Sequence, residues 1–600
     1  MVSTEENDCS SRLETPVLSQ LESSQSFNES SSTHDTSCDR ESASWVQQYF
    51  RTVMKDGKRR RACAVVDCGA DYHYGASHIV LRRHFEREHK LALMDKMKLN
   101  LHPESHIDAL MRFIVENKLP YDIVDSHSFK NLMHFAGPTK KFTTRAVLST
   151  LIITKQQELE EQIKASLSRI ESIALTFDIW SSRKASRGFG CIMGHFINTD
   201  HTLQTLALEF DYIPYPHDAE TILEFFKTTI NKFGIEKKLI GITTDNASNN
   251  AKAIAQLTKD LDLHENFAWG FVYFRCAAHI VNLAVKDCLS RLQSLVDNLR
   301  AIVVTIRSST KRTEAFREIQ RLLMIEDDLE VRTPLNLKED VETRWNSTYL
   351  MLERALLLKN AIDKARYSMI ELKDTQAVDW KLVKEVIDFL SPFEELTRKL
   401  SAERYPTIST VNACIFELKK HLDKEYTNVF IKNAAVAFHN KLDQYGDHID
   451  QPVAILATIL DPRFKLSPIP VEGHPFARQL LQDKLPPDNH NDSSQTSGSR
   501  SHFSTIFAQK ESDELAAYLD SAREPEECDC IMYWKTNKVK FPRLYRIAIT
   551  VMPIQASSVA CERTFSSAGL IDTPRRNRLS SASFRANILL ASWLKHLRML

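Results

Sequence analysis

Two groups of residues have the types and spacing to do chemistry. The first is Cys63-x4-Cys68 followed, after fifteen residues, by His84-x4-His89. Thiolate sulfur and imidazole nitrogen are the ligands that a tetrahedral structural Zn2+ takes. His84 and His89 lie in HIVLRRHFEREHK, a helix pattern. An x4 gap is somewhat over one helical turn, so both rings can point to one side. Cys63 and Cys68 are expected on the two arms of a small hairpin around Asp67-Cys68-Gly69. So short a region has too little core to fold alone, and a bound metal would supply the missing stability. His73 and His78 lie in the same stretch, and a chance gathering of Cys and His is the bland alternative.

The surroundings of these ligands are basic: Arg51, Lys55, Lys58, Arg59, Arg60, Arg61, Arg82, Arg83, Arg87 and Lys90. Cationic side chains at this density suit DNA phosphates, and Arg is the favoured partner of guanine. Arg82, Arg83 and Arg87 share the helix with the histidines. The run Lys58-Arg59-Arg60-Arg61 reads as a phosphate-binding patch and equally as a nuclear import signal.

The second group is acidic. Asp178 ends the strand-like IALTFD and Asp245 ends the strand-like LIGITTD. If these strands are parallel neighbours, both carboxylates emerge at one sheet edge. Hard anionic oxygens there hold Mg2+ or Mn2+, and two such ions can clamp an in-line phosphoryl displacement. An Asp after a strand is also a common N-cap or turn residue, and Asn246, Ser248 and Asn249 fit that use.

The elements that must position these groups follow from periodicity. Residues 1–44 are Ser-, Glu- and Asp-rich with Phe27 as the lone aromatic, a composition that predicts a disordered acidic tail. The basic Cys/His stretch occupies 45–91, and 92–170 carries apolar residues at helical spacing. SIALTFDIW, GFGCIMGHFI and LQTLALEFDYI predict strands, the last two joined across Asn198-Thr199-Asp200. DAETILEFFKTTINKFG predicts a helix closed by Gly234, LIGITTD a buried strand, and WGFVYFRC a strand running into a helix. The order β-β-β-α-β-α-β-α over 171–292 predicts a mixed α/β sheet. Residues 293–512 read as all helix apart from a compositional linker at 485–504, and 513–600 is helical again.

Several blocks in this order carry a resemblance. Trp45, Phe50, the two cysteines and LRRHFEREH resemble a BED-type zinc finger, departing from it by four residues between the cysteines where two are commoner. FDIWSSRKASRGF, TTDNASNN, RCAAHIVNLAV, ETRWNSTYLML, ILDPRFK and SSVACERTFSSAGLIDTPRRNRLS together resemble the hAT transposase family from Trp45 onward. The resemblance implies a multidomain, mostly α chain: a small N-terminal zinc finger, then an RNase H-like α/β catalytic core interrupted by a large all-α insertion. It implies Asp178, Asp245 and Glu562 as the three catalytic acids, with Cys276, His279, Arg344 and Trp345 as accessory residues. In this reading Trp345 stacks on a flipped base; a packing tryptophan is the alternative, and its setting Arg344-Trp345-Asn346-Ser347 slightly favours exposure. Cys276 and His279, one turn apart at a strand–helix junction, fit a structural or positioning role better than metal ligation. Arg575 and Arg576 are DNA contacts or helix-end caps. The resemblance also implies a C-terminal dimerisation region; there Leu589, Leu590, Trp593, Leu594 and Leu597 form an apolar seam, for dimerisation or for packing within the chain.

Composition bounds the alternatives. The 600 residues carry 78 Lys+Arg against 78 Asp+Glu, which excludes a uniformly basic coat protein and permits a locally basic one. Only 14 glycines favour long helices over a large all-β fold. No run of about 18 apolar residues occurs, and the N-terminus has no apolar signal segment, so neither a membrane span nor secretion is expected. The 11 scattered cysteines fit a reducing compartment, here the nucleus. Two functions fit: a metal-dependent DNA transposase with double-stranded DNA and a second copy of itself as partners, or a domesticated, non-catalytic DNA-binding transcriptional regulator.

Overall fold

The computed structural model describes residues 50–55, 58–63, 68, 70–74, 80–81, 84, 106–136, 143–182, 187–265, 267, 270–326, 333–341, 345–403, 405–449, 451–486, 514–572 and 579–597. The acidic tail, all but two residues of the 485–504 linker, and Arg82, Arg83, Arg87, His89, Arg344, Arg575 and Arg576 lie outside them. The chain forms two units, residues 1–105 and 106–600.

The first unit contains an antiparallel sheet of β1 (Phe50–Lys55), β2 (Lys58–Cys63) and β3 (Asp71–His73). Lys55 faces Lys58, and the sequence between them, Asp56-Gly57, is the dipeptide that two-residue hairpin connections favour. Asp71 on β3 closes on Lys55 at 2.6 Å and on Arg60 at 2.5 Å, holding its carboxyl below the ordinary range.

The second unit is mostly helical and is built on one mixed sheet in the order β6-β5-β4-β7-β8. Its strands are β4 (Ile173–Ser182), β5 (Arg187–Ile197), β6 (Leu203–Ile213), β7 (Leu239–Thr244) and β8 (Val272–Arg275). β4, β5 and β6 form an antiparallel meander, while β7 pairs parallel with both β4 and β8. Parallel pairing needs crossovers, supplied by the helices Ala219–Phe233 and Ser248–Asp260. The first starts where Asp218 accepts the Thr221 amide at 2.9 Å and ends on Gly234 at φ 61°, a left-handed cap that glycine adopts without strain. β7 is buried along its whole length, as expected of a strand covered on both faces. Gly241 is required there, because a Cβ would meet the Val272 carbonyl of β8 at 2.8 Å.

Two apolar cores flank this sheet. One joins its strands to the helices Arg145–Ser168, Ala219–Phe233, Val559–Ile571 and Ser581–Leu597. The other begins at the helix Ala277–Ser290 and runs through a body whose described elements, from Ala277 to Val551, are all helices. The ILDPRFK block is a densely bonded part of that body. Asp461, fully buried, is gripped by Arg463 at 2.7 and 2.9 Å, and Lys465 pushes its ammonium among the carbonyls of Tyr518 and Ala522.

The helix Ser581–Leu597 covers the outer edge of β6. Ser592 Oγ accepts the Ala207 amide at 2.8 Å, and Trp593 Nε1 donates to the Ala207 carbonyl at 2.6 Å. An edge strand presents unpaired backbone groups, and these side chains satisfy them. Leu589, Leu590, Trp593 and Leu594 are buried inside the chain, so packing within the chain takes the described part of the predicted seam. No described helix is long and apolar enough to cross a membrane.

Candidate functional site

In the first unit, Cys63 closes β2, with its amide bound to the Ala70 carbonyl at 2.9 Å, and Cys68 lies in the turn toward β3. His84 is buried and packs against Tyr72. The donor atoms of Cys63, Cys68 and His84 all lie within 4.8 Å of one another, and Cys68 Sγ is 3.5 Å from His84 Nε2. Zn–S and Zn–N bonds of ~2.3 and ~2.0 Å at a tetrahedral angle put S and N about 3.5 Å apart, so this separation fits a shared zinc. The fourth predicted ligand, His89, lies outside the described residues.

Side chains alternate along a strand, so the run 58–61 is divided between the faces of β2. Arg60 is committed to Asp71, and Arg61 lies over the Tyr74 ring at 5.7 Å. Lys58 and Arg59 are exposed.

In the second unit, the parallel register pairs Phe177 with Thr244, so Asp178, midway along β4, and Asp245, just past the end of β7, follow side by side. β4 runs on to Ser182 through its pairing with β5, so Asp178 does not end its strand as the sequence suggested. The third acid arrives from far along the chain. Thr243 Oγ1 donates to the Gln555 carbonyl at 2.7 Å, and the Ala277 amide donates to the Ala556 carbonyl at 2.8 Å. These bonds pin the segment before the helix Val559–Ile571 against the strand ends. The Cys561 thiol then lies 3.5 Å from the carbonyls of Thr176 and Cys191, which sets the first turn of that helix, bearing exposed Glu562, beside β4.

The electrostatics record the convergence. Burial pushes the Asp178 carboxyl up to about 7, with the negative charges of Asp245 and, more weakly, Glu562 adding to it against the Ile179 amide. Asp245 Oδ1 accepts from the Ala247 amide at 3.0 Å and from Asn250 Nδ2 at 2.6 Å. Cys276 is buried where β8 meets its helix; its amide donates to the Thr244 carbonyl at 2.8 Å. Burial raises its thiol to about 11, and Glu562 adds to the rise. His279 is half-buried one turn on, its amide bonded to the Cys276 carbonyl. The structure therefore brings Asp178, Asp245, Glu562 and Cys276 together around the C-terminal end of β7.

Trp345 differs from expectation. It is 3% exposed and packs with Tyr349 in the helical core. The physical reason is helical spacing: Trp345, Thr348, Tyr349 and Leu352 form one buried stripe, whereas the polar neighbours Asn346 and Ser347 occupy other faces. Asn250 is the residue that sequence reading passed over. Its only signal was an Asn five residues after a strand-end Asp, in the first turn of the next helix.

The sequence matches three known domain descriptions: the ZBED1 RNase-like domain over residues 176–270, the ZBED1 RNase-like helical domain over 274–389, and the hAT family C-terminal dimerisation region over 513–594. It is 28% identical over 531 residues to a putative AC transposase of Zea mays, covering 80% of this chain and 64% of that protein. It is 24% identical over 666 residues to the zinc finger BED domain-containing protein RICESLEEPER 2 of Oryza sativa, covering 94% and 90%. It is 24% identical over 542 residues to the putative transcriptional regulator tpeD of Talaromyces stipitatus, covering 80% and 61%. The chain thus spans less than two thirds of the length of the first and last of these relatives. By its RNase-like domains and its C-terminal region together, the chain is similar to hAT transposases and to BED zinc finger proteins of the RICESLEEPER kind.

Proposed function

We propose that this chain is a zinc-finger, DNA-binding, self-associating protein of the hAT transposase type, whose RNase H-like centre cleaves and transfers DNA strands with a divalent metal. The observation that carries the reading is the gathering of Asp178, Asp245 and Glu562 where β7 ends; burial pushes the Asp178 carboxyl up to about 7, and the charges of the other two acids add to the rise. Neighbouring carboxylates raise the cost of one another's charge, and a hard divalent cation drawn between them relieves it. Asp178, Asp245 and Glu562 would hold Mg2+ or Mn2+, which when bound supplies Lewis-acid stabilisation of charge on the phosphoryl oxygens. The chain's own part is preorganisation. The β4–β7 register fixes two carboxylates, and the Cys561 contacts fix the third. A water attacks one phosphodiester, breaking its bond to the 3′ oxygen and releasing a 3′-hydroxyl; a DNA 3′-hydroxyl then attacks a second phosphodiester and releases that strand's own 3′-hydroxyl, with no bond to the protein at any stage.

Cys63, Cys68 and His84, with His89, would hold a structural Zn2+, which when bound cross-links the β2–β3 turn to the following segment. Lys58, Arg59, Arg82, Arg83 and Arg87 would meet DNA phosphates or bases. Arg60 serves better as a brace through Asp71 than as a DNA contact. The match of 513–594 to a dimerisation region supports self-association, and a DNA partner supports a nuclear location. Cys276 and His279 act as structural residues at the strand end, and burial of Trp345 argues against base stacking from this conformation.

That same burial, with the resemblance to a putative transcriptional regulator, favours a second reading: a domesticated DNA-binding regulator without catalysis. Incubation of zinc-loaded protein and Mg2+ or Mn2+ with duplexes from the sequence flanking its own coding region separates the two. Strand breaks at a defined position support the first reading. Tight binding with no breaks at any end supports the second.

A further inference from the structure

Asp245 is the one acid of the three whose carboxylate is fixed by two donors on a single oxygen. The Ala247 amide and Asn250 Nδ2 both reach Oδ1, at 3.0 and 2.6 Å. Among the described residues, no hydrogen bond reaches Oδ2. Two donors on one oxygen fix the plane of the carboxylate and leave the other oxygen at the mouth of the site.

Asn250 itself is 4% exposed, and its Oδ1 is buried with no partner among the described residues. The amide cannot be turned over to correct this, because Oδ1 would then face a carboxylate oxygen. A buried polar atom left unpaired costs about 1–3 kcal/mol, which offsets what the Nδ2 bond to Asp245 contributes, so for the fold alone a Leu of similar shape would serve about as well. Asn246, next to Asp245, likewise buries Nδ2 and Oδ1 unpaired. Three unpaired polar atoms thus accompany the best-fixed acid, and unpaired buried groups in a native fold call for a reason. Waters around a hydrated divalent cation would supply the missing partners.

We infer that Asn250 is a positioning residue for divalent-metal binding: Nδ2 holds Asp245 Oδ1 so that Oδ2 is presented to the cation. This rests on the metal-centre reading above. Partners of this kind behind metal ligands typically tune affinity 10- to 100-fold.

The test is a Mn2+ titration followed by electron paramagnetic resonance, using full-length protein whose finger is already zinc-loaded. Wild type, Asp245→Asn, Asn250→Leu and Asn250→Ala would be compared, with a thermal melt of each. The inference expects binding that Asp245→Asn abolishes and that Asn250→Leu weakens about 10- to 100-fold, with a melting point no lower than wild type. A residue with only a structural role would lower the melt and leave Mn2+ affinity in place. Asn250→Ala carries the same affinity test should the leucine variant not fold. Asp245-dependent binding that neither Asn250 variant weakens overturns this inference alone. Wild-type protein with no Asp245-dependent binding overturns the metal-centre reading, and this inference with it.

Discussion

Phe177 of β4 lies opposite Thr244 of β7 in a parallel ladder, and that one pairing sets the next residues along the chain, Asp178 within β4 and Asp245 just past β7, side by side where the parallel ladder stops. A register slip of one residue would send one carboxylate to the opposite face. Gly241, whose Cβ position is blocked by β8, helps hold the register from the other side.

Burial of Trp345 gives the first prediction. Trp345→Ala removes a large side chain from a packed helical core and should destabilise the protein by about 3–5 kcal/mol, measured by urea unfolding. Single-stranded oligonucleotide added to a variant retaining only this tryptophan should leave its emission unquenched. Quenching would mean that the ring reaches DNA.

Glu209 gives the second. Burial alone would raise its carboxyl, but Arg585 at 2.7 and 2.8 Å and Lys232 at 3.1 Å outweigh burial and hold it below the ordinary 4.5. A depressed carboxyl stabilises the fold above its ordinary value, and that contribution is lost as pH falls through the lower folded value. Arg585→Leu leaves the buried charge on β6 with Lys232 alone and should cost up to about 3 kcal/mol at pH 7. Unfolding curves of variant and wild type should converge as pH drops well below 4.5, where Glu209 is protonated. A gap independent of pH would refute the ion-pair account.

The finger gives the third. Chelation, or Cys63→Ser, should remove about one bound zinc per chain and abolish sequence-specific DNA binding, read by metal analysis and gel shift. Specific binding that survives complete zinc removal would exclude the tetrahedral site.

Much of this was legible in the chain. The strands carrying Asp178 and Asp245, the Asp218 and Gly234 ends of the crossover helix, and the Cys63–Cys68–His84 grouping follow from period, cap residues and ligand spacing. Those are local signals. What stayed hidden depends on three-dimensional neighbours. The polar residues beside Trp345 suggested exposure, but the stripe through Tyr349 and Leu352 decides its face. The apolar seam of Ser581–Leu597 was open to two uses until its Trp593 met the backbone of Ala207. Asn250 gave only a weak signal, since an Asn in the first turn of a helix after a strand is ordinary and only its contact with Asp245 makes it notable.

The central claim is that Asp178, Asp245 and Glu562 form a working metal centre for DNA strand cleavage. The most direct test compares wild type with Asp178→Ala on a labelled duplex from the flanking sequence, in Mg2+ or Mn2+, scoring binding and strand breaks in parallel. The account predicts breaks at a defined position with wild type, and loss of at least about a thousandfold in cleavage with undiminished binding for Asp178→Ala. Equal cleavage by both proteins, or none by wild type on any flanking end that it binds, would contradict it.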